Sequence, residues 1–323
     1  MKNILTYIEI KEVAPIKLSL ESLSKASEIA AEKGTKSIAL ITCELADGEL
    51  AKVKAAGAEE IVLVKRDAYN MEDFTNIIVE VSKKYECEDI FLPGSLDGKD
   101  LAANVAASLD TVSVTNVMEI KFDGEELIYV TPSYGATVLT ESKVNKAPRV
   151  IAVRAGSFDK RDDLNGAGNL VEENIDEVKD IKSIIREVVM AAGAEINLED
   201  APIIVTCGRG ASSDEIFPLV KELADAFGAP ISGTRPVIDD GVLPKASQIG
   251  QSGKIVSPAL YIGCGVSGAV QHISGMENSG FILAINKDED APIFNIADVG
   301  IVGDCKVILP LLIEEVKKLK ANA

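Results

Sequence analysis

The sequence contains no tryptophan, and its aromatic residues make up only 4% of 323. Its cores must therefore be aliphatic, and a hydrophobic content of 47% supplies them. Histidine occurs once, as His272. One imidazole leaves little room for general acid–base chemistry, and no Ser/His/Asp triad can be assembled around it. The five cysteines, Cys43, Cys87, Cys207, Cys264 and Cys305, form no CxxC pair. Zinc and iron–sulfur sites use closely spaced ligand pairs, so no local metal site is expected. Their odd, scattered number fits a reducing compartment. No apolar run approaches the roughly 18 residues of a membrane span. The N-terminal MKNILTYIEIKE meets Glu9 too soon for a signal peptide. These features predict a soluble, cytoplasmic protein.

Positive charge is also scarce. Against 51 acidic residues stand 33 basic ones, for a formal net charge of −18. That excludes a general nucleic-acid binder, which needs a basic stripe to displace counterions. It also argues against docking on anionic membranes. A bound anion would have to be held by backbone N–H groups and a few well-placed cations.

The length suggests two domains. In the first half, strands (4–10, 37–42, 61–65, 89–95) alternate with helices (18–34, 71–86, 98–110), which implies βαβ units and a parallel sheet. Residues 118–158 carry Asp123-Gly124, short paired apolar runs and no helical period, and predict antiparallel hairpins at the sheet edge. Residues 159–200 read as loop and linker around a short helix at 181–190. The domain boundary is placed near 190, giving a first domain over 1–190 and a second over 191–323. From 201 the alternation resumes: a strand at 202–208, a helix over 212–228 opened by a Ser212-x-x-Glu215 capping box, strands at 259–265, 281–286 and 299–304, and a closing helix. The expected fold is α/β in two domains. An N-terminal parallel-sheet domain with an antiparallel edge is followed by a doubly wound Rossmann-like domain.

Four stretches bear chemistry. Gly263-Cys264-Gly265-Val266-Ser267-Gly268 fits G-x-G-x-x-G, follows an apolar strand and opens a helix, so a dinucleotide pyrophosphate could approach its backbone. The alternative is an ordinary strand-to-helix turn. GTRPVIDDG (233–241) is a stiff loop presenting Arg235, which could equally be a surface arginine paired with Asp239 or Asp240. SQIGQSGK (247–254) offers amides and hydroxyls on a bending backbone. Its glycine spacing does not complete a P-loop, which excludes a nucleotide triphosphatase. Asn286 and Asp304 end strands where parallel sheets bind ligands, with Asp288 a rival to Asn286, although Asn and Asp also favour turns.

Taken together, Gly208-Arg209-Gly210, Thr234-Arg235, QIGQSGK (248–254), LYIGCGVSGAVQHISGM (260–276), AINKDEDAPIF (284–294) and ADVGIVGD (297–304) resemble the FAD-binding domain of the electron-transfer flavoprotein α subunit. The first half resembles that family's first domain more loosely, through PSYGA (132–136), and Lys146-Ala147-Pro148-Arg149-Val150 departs from its usual run. The resemblance implies bound FAD, a β-subunit partner and electron exchange with flavoprotein dehydrogenases or reductases of the acyl-CoA type. The protein would then be an electron carrier without substrate turnover of its own, with the first domain making partner contacts.

The resemblance also implies roles for individual residues. Arg235 lies against the isoalloxazine ring, Thr234 approaches the pyrophosphate and Ser252 bonds near flavin N5. Gln248 and Gln251 line the ring edge and ribityl chain, and Ser267 with the backbone after it holds the pyrophosphate. Gln271 and His272 reach the ribityl and pyrimidine side. Arg209, Asn286 and Asp304 meet the adenosine and diphosphate end, while Gly250, Gly265 and Gly268 allow close backbone approach. In this reading His272 tunes the flavin, and removing it lowers the first reduction potential by roughly 60–130 mV. A core-satisfied imidazole predicts instead a stability loss with normal redox behaviour. Relatives in electron-bifurcating or NADH-linked acyl-CoA reductase complexes offer a second reading. An NAD-dependent oxidoreductase using His272 as a proton donor is a third, and a non-catalytic nucleotide-binding regulator a fourth.

Overall fold

The computed structural model describes residues 2–124, 126–179, 181–182 and 198–321. The chain divides into two compact units, Met1–Val189 and Met190–Ala323. The helix expected over 181–190 lies outside the described residues from 183 onward, as does the boundary expected near 190.

The first unit is built on a seven-stranded parallel sheet. Its strand order is Asn169–Glu172, Glu60–Leu63, Ser37–Ile41, Asn3–Tyr7, Cys87–Pro93, Arg149–Val153 and Ser113–Val117. Central strands such as SIALI are buried at every residue, because helices cover both faces and no polar side is needed. The helices Met71–Lys84 and Leu96–Ser108 pack Phe74, Ile77, Leu101 and Val105 against Leu5, Leu40 and Ile90. Asn70 starts the first of these helices, its side-chain oxygen accepting from the amides of Glu72 and Asp73. Near the opposite end of the sheet, Asp89 is 1% exposed and takes hydrogen bonds from Lys33 (3.0 Å) and Arg149 (2.5 Å), so the buried carboxylate is paired on two sides.

The antiparallel strands expected within 118–158 form their own three-stranded sheet, Glu119–Asp123, Glu126–Ser133 and Val138–Lys143. It continues the chain from the edge strand Ser113–Val117, and its Ile120, Leu127 and Tyr129 join the core beneath the helix Lys17–Lys33. Two elements differ from the expectation. Residues 169–172, read as linker, add a parallel edge strand to Glu60–Leu63. The segment before them is tied down by amides of Leu164, Gly166 and Gly168 bonded to carbonyls of residues 54–58. A helix over Asp47–Ala55 was not anticipated, and it buries only Val53.

The second unit holds five parallel strands in the order Ile231–Gly233, Ile203–Cys207, Leu260–Cys264, Ile282–Asn286 and Val299–Val302. Numbered along the unit, this is 2-1-3-4-5, the doubly wound order whose direction reverses between its first and third strands. One face is covered by the helices Phe217–Phe227 and Cys305–Ala321, which bury Val205, Cys207, Ile262, Cys264 and Ile285. The other face is covered largely by irregular segments carrying Ile249, Val256, Val266, Met276 and Ile293 over Ile204 and Tyr261. Cys207 and Cys264 are partners in register at the ends of their strands. They are fully buried, with Cys305 close to fully so, and burial pushes the Cys207 thiol up to about 12 and raises the other two.

The helix expected from Ser212 starts later, at Phe217, with Pro218 in its first turn. Proline has no N–H to lose there, and it disfavours helix in the residue before it. The capping box does not form. Ser212 donates to the carbonyl of Arg209 (3.0 Å), and Glu215 pairs with Lys306 (2.6 Å). Among the described residues no helix is long and apolar enough to cross a membrane, and no cluster of His, Cys, Asp or Glu could hold a metal ion.

Candidate functional site

The carboxyl ends of the five parallel strands gather the chemistry-bearing stretches of the second unit. At the point of reversal the loops after the first and third strands are locked together. The amide of Gly208 donates to the carbonyl of Cys264 (2.8 Å), and that of Gly210 to Gly265 (3.1 Å). Gly265 in turn donates to Ile285 on the next strand (2.8 Å). Gly268 lies against the 3-10 turn Pro292–Asn295, where the amide of Ile293 donates to the carbonyl of Ser267 (3.1 Å). A Cβ at Gly268 would sit 2.2 Å from that nitrogen, so the approach needs glycine. Asn286 is 9% exposed and braces the same turn. Its Nδ2 donates to the carbonyl of Val266 (2.8 Å) and its Oδ1 accepts from the amide of Asp288 (3.1 Å).

This bracing leaves a run of backbone donors free. Among the described residues the N–H groups of Ser267, Gly268, Ala269, Val270 and Gln271 have no hydrogen-bond acceptor. A diphosphate carries only acceptors, and successive amides at a strand-to-helix turn match it without needing positive side chains. The turn thus fits an anionic cofactor held by backbone donors, the kind of site an anion needs in a chain of net charge −18.

The segment 248–254 is tied at both ends. Ile249 donates to Gly233 (3.1 Å), Gln251 donates to Gln271 (2.7 Å), and Gly250 and Lys254 close the bend through bonds to each other and to Gln248. Gln248 is 1% exposed, whereas Gln251, Ser252 and Gln271 are exposed on the same side of the strand ends. Thr234 is held by its amide to the carbonyl of Cys207 (3.1 Å) and starts the short helix Arg235–Asp239. Arg235 pairs with Asp239 at 3.4 Å, the two side chains being 72% and 63% exposed. So open a pair is weak and can give way to a ligand. Arg209 is exposed on the loop after the first strand.

Two more of the expected site residues, Asp304 and His272, are engaged by the protein itself. Asp304 sits after the edge strand, two strands from the Gly265 turn, and its Oδ1 accepts from the amide of Lys306 (2.8 Å) at the start of the last helix. His272 is 6% exposed. Its Nδ1 lies 3.2 Å from the carbonyl oxygen of Ile249, and its Nε2 lies 2.7 Å from the hydroxyl of Tyr261. A carbonyl only accepts, so Nδ1 carries the proton and Nε2 accepts from the tyrosine. Burial pushes the imidazole pKa down to about 4, so the ring is neutral near pH 7. A neutral ring held at both nitrogens brings no positive charge to the site in this arrangement.

Two further residues belong to the site and were not singled out from the sequence. Tyr261 is buried in the third strand and reaches His272 across 11 positions. Lys245 opens the 3-10 turn Lys245–Ser247 and bonds Gln248, three residues on. Side chains at i and i+3 eclipse in such a turn, so the Lys-x-x-Gln spacing was its available signal.

Residues 197–277 match the family model described as the electron transfer flavoprotein FAD-binding domain. Residues 4–180 match the one described as the electron transfer flavoprotein domain. The chain is 36% identical to the electron transfer flavoprotein subunit alpha of Thermoanaerobacterium thermosaccharolyticum, over 99% of each chain. It is 33% identical to the protein FixB of Clostridium saccharobutylicum, over 98% of this chain and 97% of that one. It is also 35% identical to the electron transfer flavoprotein subunit alpha of Bacillus subtilis, over 83% of each.

Proposed function

The chain belongs to the electron transfer flavoprotein α-subunit family and carries its FAD-binding domain, and on that premise we propose that it pairs with a β subunit and relays electrons between a flavoprotein dehydrogenase or reductase of the acyl-CoA type and a second redox partner. The observation that carries this reading is the set of five unpartnered amides at the reversal point of a 2-1-3-4-5 sheet, beside the exposed faces of Ser252, Gln251 and Arg235.

FAD, when bound, supplies the electron-accepting ring. The chain's own residues bind and orient it. The amides of Ser267 to Gln271 hold the diphosphate, with Thr234 and Gly268 allowing close approach. Arg235 leaves Asp239 to lie against the ring, and Gln251, Ser252 and Gln271 face its edge and ribityl chain. Gln248 and His272 stand behind them. His272 acts as a positioning residue: its Nδ1–H holds the Ile249 carbonyl, and with it the bend that presents Ser252. Arg209 and Asn286 border the adenosine end. Asp304 is assigned there only through the segment it caps. The first unit carries the partner contacts.

The test is the visible spectrum of the protein co-purified with its β partner, followed by stepwise anaerobic reduction. Oxidised-flavin bands that bleach on reduction are expected, and a complex that stays colourless after incubation with FAD overturns the reading. Arg235→Ala should lower the potential of the bound flavin by roughly 30–60 mV, equivalent to ~0.7–1.4 kcal/mol for one electron. It should change stability by less than about 0.5 kcal/mol, because its ion pair is exposed. An unchanged potential would remove Arg235 from the ring.

A further inference from the structure

Lys245, Gln248 and Ser252 form a chain of hydrogen bonds with a defined direction. Lys245 Nζ lies 2.5 Å from Gln248 Oε1, and Gln248 Nε2 lies 2.9 Å from Ser252 Oγ. An ammonium group has only donors, so the atom facing it must be the amide oxygen. That settles which way the Gln248 amide points, a choice that heavy-atom positions alone leave open. The NH2 end must then face Ser252, and it too can only donate. Ser252 Oγ is thereby obliged to accept, which leaves its own proton for a partner beyond the chain. Gln248 is 1% exposed and cannot be turned over by water, while Ser252 lies exposed at the strand ends.

We propose that Lys245, acting through Gln248, fixes the Ser252 hydroxyl as a donor toward the cofactor, so that it prefers a flavin whose N5 presents a lone pair. This rests on the reading of the site as FAD-binding. Lys245 is a positioning residue in this arrangement, outside the motifs of the site, and its effect passes through the amide. Without it the Gln248 amide is free to reverse, and Ser252 can turn its proton back onto Oε1.

The experiment uses the αβ complex stripped of flavin and two probes, FAD and 5-deaza-FAD. The second has C–H in place of N5 and offers no acceptor there. Wild-type protein should bind FAD about tenfold more tightly than 5-deaza-FAD, the effect of one net hydrogen bond. Lys245→Met should bring that ratio to within about threefold while FAD still binds, and Lys245→Arg, again a pure donor, should restore it. Fluorescence titration reads all of these without turnover. An unchanged ratio in Lys245→Met overturns the relay, and so does equal affinity for both probes in the wild type. If the wild type binds neither flavin, the reading of the site itself fails.

Discussion

Gly268→Ala is expected to destabilise the second unit by about 3 kcal/mol or more and to yield protein with little retained FAD. Two effects combine. Gly268 has φ +85°, a region that costs an L-residue roughly 1–2 kcal/mol, and the added Cβ would lie 2.2 Å from Ile293 N and 2.6 Å from its Cα. Both atoms are backbone, and the nitrogen is bonded to Ser267, so relief requires moving the turn Pro292–Asn295 away from the amides proposed to hold the diphosphate. Gly241 separates the two effects. It has φ +73° but open space around its Cβ position, so Gly241→Ala should show the conformational cost alone, about 1–2 kcal/mol, with FAD retained. Urea unfolding and the flavin-to-protein absorbance ratio measure both. Equal losses in the two variants would mean that the contact between Gly268 and Ile293 carries no weight.

His272→Ala should cost about 3 kcal/mol of stability while shifting the reduction potential by less than about 60 mV. The substitution strands the Ile249 carbonyl and takes the imidazole acceptor from the Tyr261 hydroxyl, both of them buried. A pH series adds an independent sign. The native imidazole titrates near 4 and the unfolded one near 6.5, so between those values the unfolded chain binds more protons. Stability from this group is complete above the unfolded value and is lost as pH falls toward 4, by up to about 3 kcal/mol. His272→Gln should lack that slope, and comparing the two proteins at each pH cancels the many carboxylates. A potential drop of roughly 60–130 mV with stability intact would instead put the imidazole in contact with the ring.

The sequence and the structure agree where burial is two-sided. Strands such as Ile203–Cys207 and Leu260–Cys264 are predominantly apolar and buried after their first residue because both faces are covered, and glycine spacing marked the turn after the latter. The missed elements lack that signature. The helix Asp47–Ala55 buries a single valine and shows no apolar stripe, and Asn169–Glu172 is an edge strand whose Leu170 is 51% exposed. Ser212 and Glu215 have the right spacing for a cap, but Pro218 decides where the helix begins. In the site, the glycines, Arg235 and the polar bend were legible as local patterns. The state of His272 was not, because its two partners come from a strand 11 residues before it and a carbonyl 23 residues before it. Spacing alone does not reveal whether an imidazole faces a ligand or the core.

The buried thiols give the molecule an internal clock. Only a thiolate attacks an alkylating reagent, and Cys207, Cys264 and Cys305 are both enclosed and held in the protonated form. Each can react only during moments when its surroundings open, so its rate of labelling, divided by that of a free thiol, gives the fraction of time spent open. Cys87 does the same for the first unit, and the half-buried Cys43 should be modified sooner. Mass spectrometry of one timed reaction would therefore report how often each unit breathes, and whether a ligand in the second slows that breathing, without a single engineered probe.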